Sequence, residues 1–170
     1  MKKKLNTIGN KGVTLIEMVI YMGILSIILI VFVDMFAVLV NKQMETESIS
    51  SVQQDSNYIL SRLSYDFSQA ETVEIPAQAG SSSAMLRLMI ASQLYDYSIV
   101  NNSLIVTSSG ISTQLNGYDT TIDPITFTRI GEGNSNDVVR ITIPIISRAK
   151  KQSGYELFTI STTLGIRAQE

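Results

Sequence analysis

Gly12-Val13-Thr14-Leu15-Ile16-Glu17 is the stretch that decides how this chain is read. The six residues follow a basic leader with Lys2, Lys3, Lys4 and Lys11, and they open an apolar run that reaches Val40. A carboxylate five residues into a membrane-length apolar helix costs roughly 2.5–3.5 kcal/mol near a bilayer centre, and less near an interface. Such a charge is expected to have a partner, and the neighbouring apolar residues of its own helix supply none. The pattern describes a chain that is held in a membrane and then assembles with others.

Charge orients the chain. Its 170 residues suffice for one domain plus an anchor, not for two large cores. The leader through Gly12 holds four Lys and no acid, although the whole chain has a net charge of −2. A basic segment before the apolar run and an acidic excess after it place the N-terminus in the cytoplasm and the bulk outside. The acidic exterior argues against a broad nucleic-acid surface. With no Cys, no disulfide ties the exported part; with no His, the commonest metal ligand and acid–base group is missing.

Three readings of the N-terminal segment compete. A cleaved secretory signal has an apolar core of about 7–15 residues and a small-residue cleavage site; here the core is longer and no Ala-x-Ala pattern follows Val40. A plain anchor fits by length, because Val13 to Val33 spans about 31 Å as helix, but it leaves Glu17 and Gly12 unexplained. The third reading places a cut before the apolar segment. Lys11-Gly12, then Val13-Thr14-Leu15-Ile16-Glu17-Met18 and the helix behind them, resemble the prepilin signal of type IV pilins and type II secretion pseudopilins.

That resemblance implies cleavage between Gly12 and Val13 by a membrane peptidase, N-methylation of Val13 by the same prepilin peptidase/N-methyltransferase, and assembly with other subunits on an inner-membrane platform. The usual first mature residue of the family is Phe, so Val13 is a departure. Glycine before the cut lets a protease approach the backbone closely. Cleavage exposes an α-amine with a reference pKa of about 7.7–8.0, and the resemblance implies that Glu17 neutralises that amine in a neighbouring subunit. Paired in low dielectric, the two charges escape much of the penalty of standing alone.

From Val13 to about Ala70 there is no Pro, and only Gly23 interrupts helix-compatible residues. A membrane span continuing into a packed stem is expected. Beyond Asn41 the pattern turns amphipathic, with Val52, Ile59, Leu60, Leu63, Phe67 and Ala70 at helical spacing. Lys42, Glu45, Asp55, Arg62 and Asp66 are expected mostly on the wetter side. Asp34 stands in the apolar half, where many family members carry a proline; it marks either the outer interface or a subunit contact.

Pro76 is expected to close the helical region, and Ala77 to Ser83 to form a loop. Six β-rich runs follow: Ala84 to Ile90, Leu94 to Val100, Ser103 to Ser108, Ile125 to Ile130, Val138 to Ile146 and Glu156 to Leu164. Asn101-Asn102 reads as a tight hairpin turn and Gly131 to Asp137 as a longer one. Val139, Ile141, Ile143 and Ile145 alternate with Arg140, Thr142 and Pro144, as in a strand with one buried face; Pro144 suggests an edge strand or its end. The fold class is α+β, a long N-terminal helix packed on an antiparallel sheet, which is also the pilin architecture. The expected organisation is a leader over 1–12, a membrane and assembly helix over 13–40, an amphipathic stem helix over 41–75 and a β-rich head over 76–170. The stem's closing Leu60 to Ala70 and the last run, Phe158 to Arg167, resemble the larger minor pseudopilins of the J type and minor pilins.

No catalytic apparatus is legible: the chain has no phosphate loop, no Gly-x-Ser-x-Gly elbow, and no His to serve a Ser. Asp119, Asp123, Glu132 and Asp137 could suggest calcium, but they form no twelve-residue calcium loop, and solvated turn acids are the better reading. Arg148, Lys150 and Lys151 read as a solvated basic loop; Tyr95, Tyr97 and Tyr118 read as strand aromatics or a stacking surface. No enzyme, metal or cofactor is expected. The sequence implies a structural subunit, or else a head that a filament presents as an adhesin or DNA-binding module.

Overall fold

The computed structural model describes residues 12–130, 137–151 and 153–166. The leader lysines, Glu132 with all of the expected 131–137 loop except Asp137, and Arg167 lie outside the described residues. The chain divides into two units, Met1–Val40 and Asn41–Glu170. Helix α1, Leu15–Gln69, contributes to both.

In the first unit the helix is apolar all round. Every residue from Met18 to Val40 is exposed, and an 18-residue window of mean hydropathy 2.8 has none of its residues buried. A helix of this length and composition can cross a bilayer, and it is not the core helix of a soluble domain.

In the second unit α1 is amphipathic, burying Ser48, Val52, Ser56, Ile59, Leu63, Asp66 and Phe67 at steps of three, four and one. The helix ends at Gln69, short of the expected 75. Thr72–Ile75 forms strand β1 instead, pairing antiparallel with β3, Leu86–Ile90. The β-branched Thr72, Val73 and Ile75 favour the ladder, which buries Val73.

Two antiparallel sheets form, not one. The first has the order β1-β3-β4-β5-β6, where β4 is Gln93–Val100, β5 is Ser103–Ser108 and β6 is Ile111–Gln114. Its hairpins turn on Ala91-Ser92, Asn101-Asn102 and Ser109-Gly110, with positive φ at both residues of each pair. Two positive φ angles make a type I′ turn, whose twist matches that of the strands it joins; the Asn-Asn turn stands where the sequence put it. The second sheet runs β10-β9-β8-β2, with β7 also on β9: β2 is Ser82–Ser83, β7 Thr120–Ile122, β8 Thr126–Arg129, β9 Val138–Lys151 and β10 Gly154–Gly165. Strands β2, β6 and β7 have no counterpart in the sequence reading.

Strand β9 organises the second sheet. Val139, Ile141, Ile143 and Ile145 are fully buried, on the expected alternation. Pro144, however, is on no edge: β9 has partners on both sides. Its partner on one side changes from β8, opposite residues 139–142, to β7, opposite residues 145–147. The Pro144 carbonyl accepts the Asp123 amide at 3.2 Å on that side. A strand residue points its N–H and C=O the same way, so the missing N–H falls in the gap between ladders and costs no hydrogen bond. The expected basic loop is likewise the end of β9: Arg148 and Lys150 stay exposed, and Lys151 pairs with Glu156 across the hairpin.

One core joins the helix to both sheets. Val52, Ile59, Leu63 and Phe67 from α1 meet Leu86, Leu88, Tyr97 and Leu104 from the first sheet and Phe127, Ile141 and Ile143 from the second. All of its buried hydrophobic members lie between Val52 and Ile166, so the second unit carries a core of its own.

Candidate functional site

The start of α1 is built by three polar side chains on one helix face. Thr14 stands just before the first helical residue; its Oγ1 accepts the Glu17 amide at 3.3 Å, and Glu17 Oε2 faces the Thr14 amide at 3.5 Å. This reciprocal Thr-x-x-Glu arrangement is a capping box, which covers two of the backbone amides that a helix N-terminus leaves without partners. A carboxylate in the first turn is also favoured by the helix dipole. One turn further on, the Tyr21 hydroxyl donates to Glu17 Oε1 at 2.9 Å. The expectation that Glu17's own helix offers no partner is therefore overturned: Thr14 at i−3 and Tyr21 at i+4 both reach it.

Gly12 and Val13 lie exposed and outside the helix, immediately before the cap. A Cβ added to Gly12 would meet nothing within 4 Å, so no packing within the described chain demands glycine there. The same holds for Gly23. Further along, the Ser26 hydroxyl donates to the Met22 carbonyl at 2.8 Å, a satisfied arrangement for an alcohol in lipid. Asp34 is exposed on the helix.

In the second unit, Lys42 and Glu45 are on the wet side and pair at 2.8 Å, but Asp66 is buried and Asp55 half-buried. Asp66 is 2% exposed; it accepts the Tyr97 hydroxyl from β4 and lies 2.8 Å from Arg62 Nε. Burial, and then the carboxylate its hydroxyl serves, push the Tyr97 phenol well above its usual pKa. Asp55 accepts the Gly117 amide at 2.8 Å and the Thr120 hydroxyl, fastening the 117–120 segment to the helix. Asp137, read as a turn acid, is 6% exposed and pairs with Arg129. Arg129, which the sequence reading passed over, also donates to the carbonyls of Val73, Pro76 and Ala77 at 3.0, 3.2 and 2.9 Å. These contacts tie structural elements together.

Of the tyrosines, Tyr97 and the half-buried Tyr95 belong to strand packing, whereas Tyr118 is exposed, with the Arg148 guanidinium 5.2 Å from its ring centre. Among the described residues no three His, Cys, Asp or Glu side chains come together as metal ligands do.

The apolar helix and its capped start coincide with a family match: residues 9–33 fit the family model for the prokaryotic N-terminal methylation motif. No curated protein and no solved structure matches the chain. The matched motif is a signal of structural subunits and not of an enzyme family. Motif and apolar helix together fit a protein anchored in the inner membrane, and they support a pilin- or pseudopilin-type subunit.

Proposed function

We propose that the chain is a minor pilin or pseudopilin, a structural subunit of a type IV pilus or a type II secretion pseudopilus. Prepilin peptidase cuts the basic leader, residues 1–12, between Gly12 and Val13 and methylates the new amine. Residues 13–40 hold the subunit in the inner membrane, N-terminus inward, while the stem and β-rich head stand outside. Assembly then draws the helix from lipid into a filament, where apolar helices bury one another and Glu17 meets the α-ammonium of a neighbour. The stem's closing Leu60 to Ala70 and the many strands that follow it favour the larger J-type minor subunits.

The observation that carries this reading is the methylation motif over residues 9–33, set on a chain whose Gly12–Val13 bond lies exposed ahead of the capped helix. Protease subsites take up extended backbone, and residues 12–14 are non-helical. Mass spectrometry of the mature N-terminus tests it: N-methyl-Val13 is expected, and an intact Met1 on the membrane-borne protein sinks it. Glu17→Ala is expected to leave cleavage intact and to deplete the subunit from sheared filaments; undiminished incorporation would refute the role of Glu17.

A further inference from the structure

Among residues 13–40 the hydrogen-bonding side chains are Thr14, Glu17, Tyr21, Ser26 and Asp34. Ser26 satisfies itself on its own helix, and Thr14 is the cap. Tyr21 delivers its hydroxyl to Glu17 at 2.9 Å, and with the residue 54% exposed, this bond is the one polar contact its phenol makes among the described residues. A phenol in lipid is tolerated where its O–H finds an acceptor, and here the acceptor is the one charged group of the first helical turn.

The bond makes the two carboxylate oxygens unequal. Oε1 is taken by the phenol at a normal hydrogen-bond length, whereas Oε2 has only the Thr14 amide at 3.5 Å, the outer limit of such contacts. A carboxylate offers about four lone-pair sites, so Oε2 keeps room for a strong donor, and it lies at the N-terminal end of the helix. We propose that Tyr21 is a positioning residue for the Glu17 assembly contact: its hydroxyl holds Oε1, keeps the carboxylate satisfied in lipid, and presents Oε2 to the α-ammonium of a second subunit. The proposal rests on the assembly role given to Glu17 above. The bond also fixes the long Glu side chain before the partner arrives, so less freedom is lost when the ion pair forms.

The test compares Tyr21→Phe, Tyr21→Gln and Glu17→Ala in the full-length chain in its own cells, reading the ratio of filament-borne to membrane-borne processed subunit. Tyr21→Phe keeps the ring and removes the donor that orders the Glu side chain, and the ratio should fall about three- to tenfold, the cost of ordering one long side chain when the ion pair forms, with cleavage after Gly12 unchanged. Tyr21→Gln restores a donor at the same i+4 position and should recover most of the loss, which a role in packing would not predict. Tyr21→Phe at the wild-type ratio while Glu17→Ala is depleted overturns the proposal alone. So does Tyr21→Gln assembling as poorly as Tyr21→Phe. If Glu17→Ala itself assembles normally, the assembly role of Glu17 fails, and the proposal falls with it.

Discussion

Tyr97→Phe in the second unit tests whether a buried hydroxyl fastens the stem helix to the first sheet. Phe fills the same volume, so the change isolates the hydroxyl that donates to Asp66. Asp66 keeps Arg62 at 2.8 Å, so no charge is orphaned; what disappears is one buried bond to a carboxylate, about 1.5–3 kcal/mol. For a unit of about 130 residues, Asn41–Glu170, about 2 kcal/mol corresponds to a fall in Tm of about 6–10 °C. A second signature comes from pH. The folded phenol titrates well above the unfolded one, so above about pH 10 the unfolded chain has lost a proton that the folded chain retains. Stability must then fall as pH rises, by about 1.4 kcal/mol per pH unit at the limit, and the contribution is complete below that range. Thermal unfolding of residues 41–170 at pH 7, and urea unfolding at steps from pH 9.5 to 11.5, measure the two effects. Tyr97→Phe should be less stable at pH 7 and should lose the part of the alkaline slope that Tyr97 supplies. A Tm within 1 °C of wild type, with the slope unchanged, refutes the reasoning.

Two further outcomes concern the other buried polar ties. Arg129→Met removes the guanidinium that serves three carbonyls and Asp137 and leaves a buried carboxylate without its counter-ion. A loss of about 3–5 kcal/mol is expected in urea unfolding, partly recovered when Asp137→Leu is added. Asp55→Ala should cost about 2 kcal/mol, and it should speed hydrogen exchange at the Gly117 amide far more than at the amides of β9, because Asp55 is the acceptor holding that amide.

The elements legible in the sequence were those whose reason is local. Val52, Ile59, Leu63 and Phe67 follow helical spacing, and Val139 to Ile145 alternate with period two, so each could be placed without knowing its neighbours. What escaped depended on partners distant in sequence. Asp66 sits between Leu63 and Phe67 and looks like any wet-side acid until Tyr97 arrives from β4. Pro144 argues for an edge unless one knows that β9 changes partners at that residue. Ile111–Gln114 is exposed at every position, so no hydrophobic pattern marks β6. The division into two sheets is a matter of which strands pair, which propensity does not encode. At the helix start the signal was in plain view: Thr14-x-x-Glu17 has the form of a capping box, and Tyr21 is one turn from Glu17.

Those last contacts change what Glu17 is. As an unpartnered acid it would carry a membrane penalty relieved only by assembly, and the stored subunit would be strained. With Thr14 and Tyr21 beside it, the carboxylate is partly satisfied before any neighbour is met, which suits a subunit that must wait in lipid. Full satisfaction would remove the reason to assemble, because a ligand shifts an equilibrium only by its differential affinity for the two states. The unequal oxygens resolve this: a firm bond at Oε1 lowers the cost of storage, and a long contact at Oε2 leaves most of the attraction for an ammonium unspent. Strengthening the Oε2 contact should therefore reduce incorporation, because the stored carboxylate would then gain less from a neighbour's ammonium.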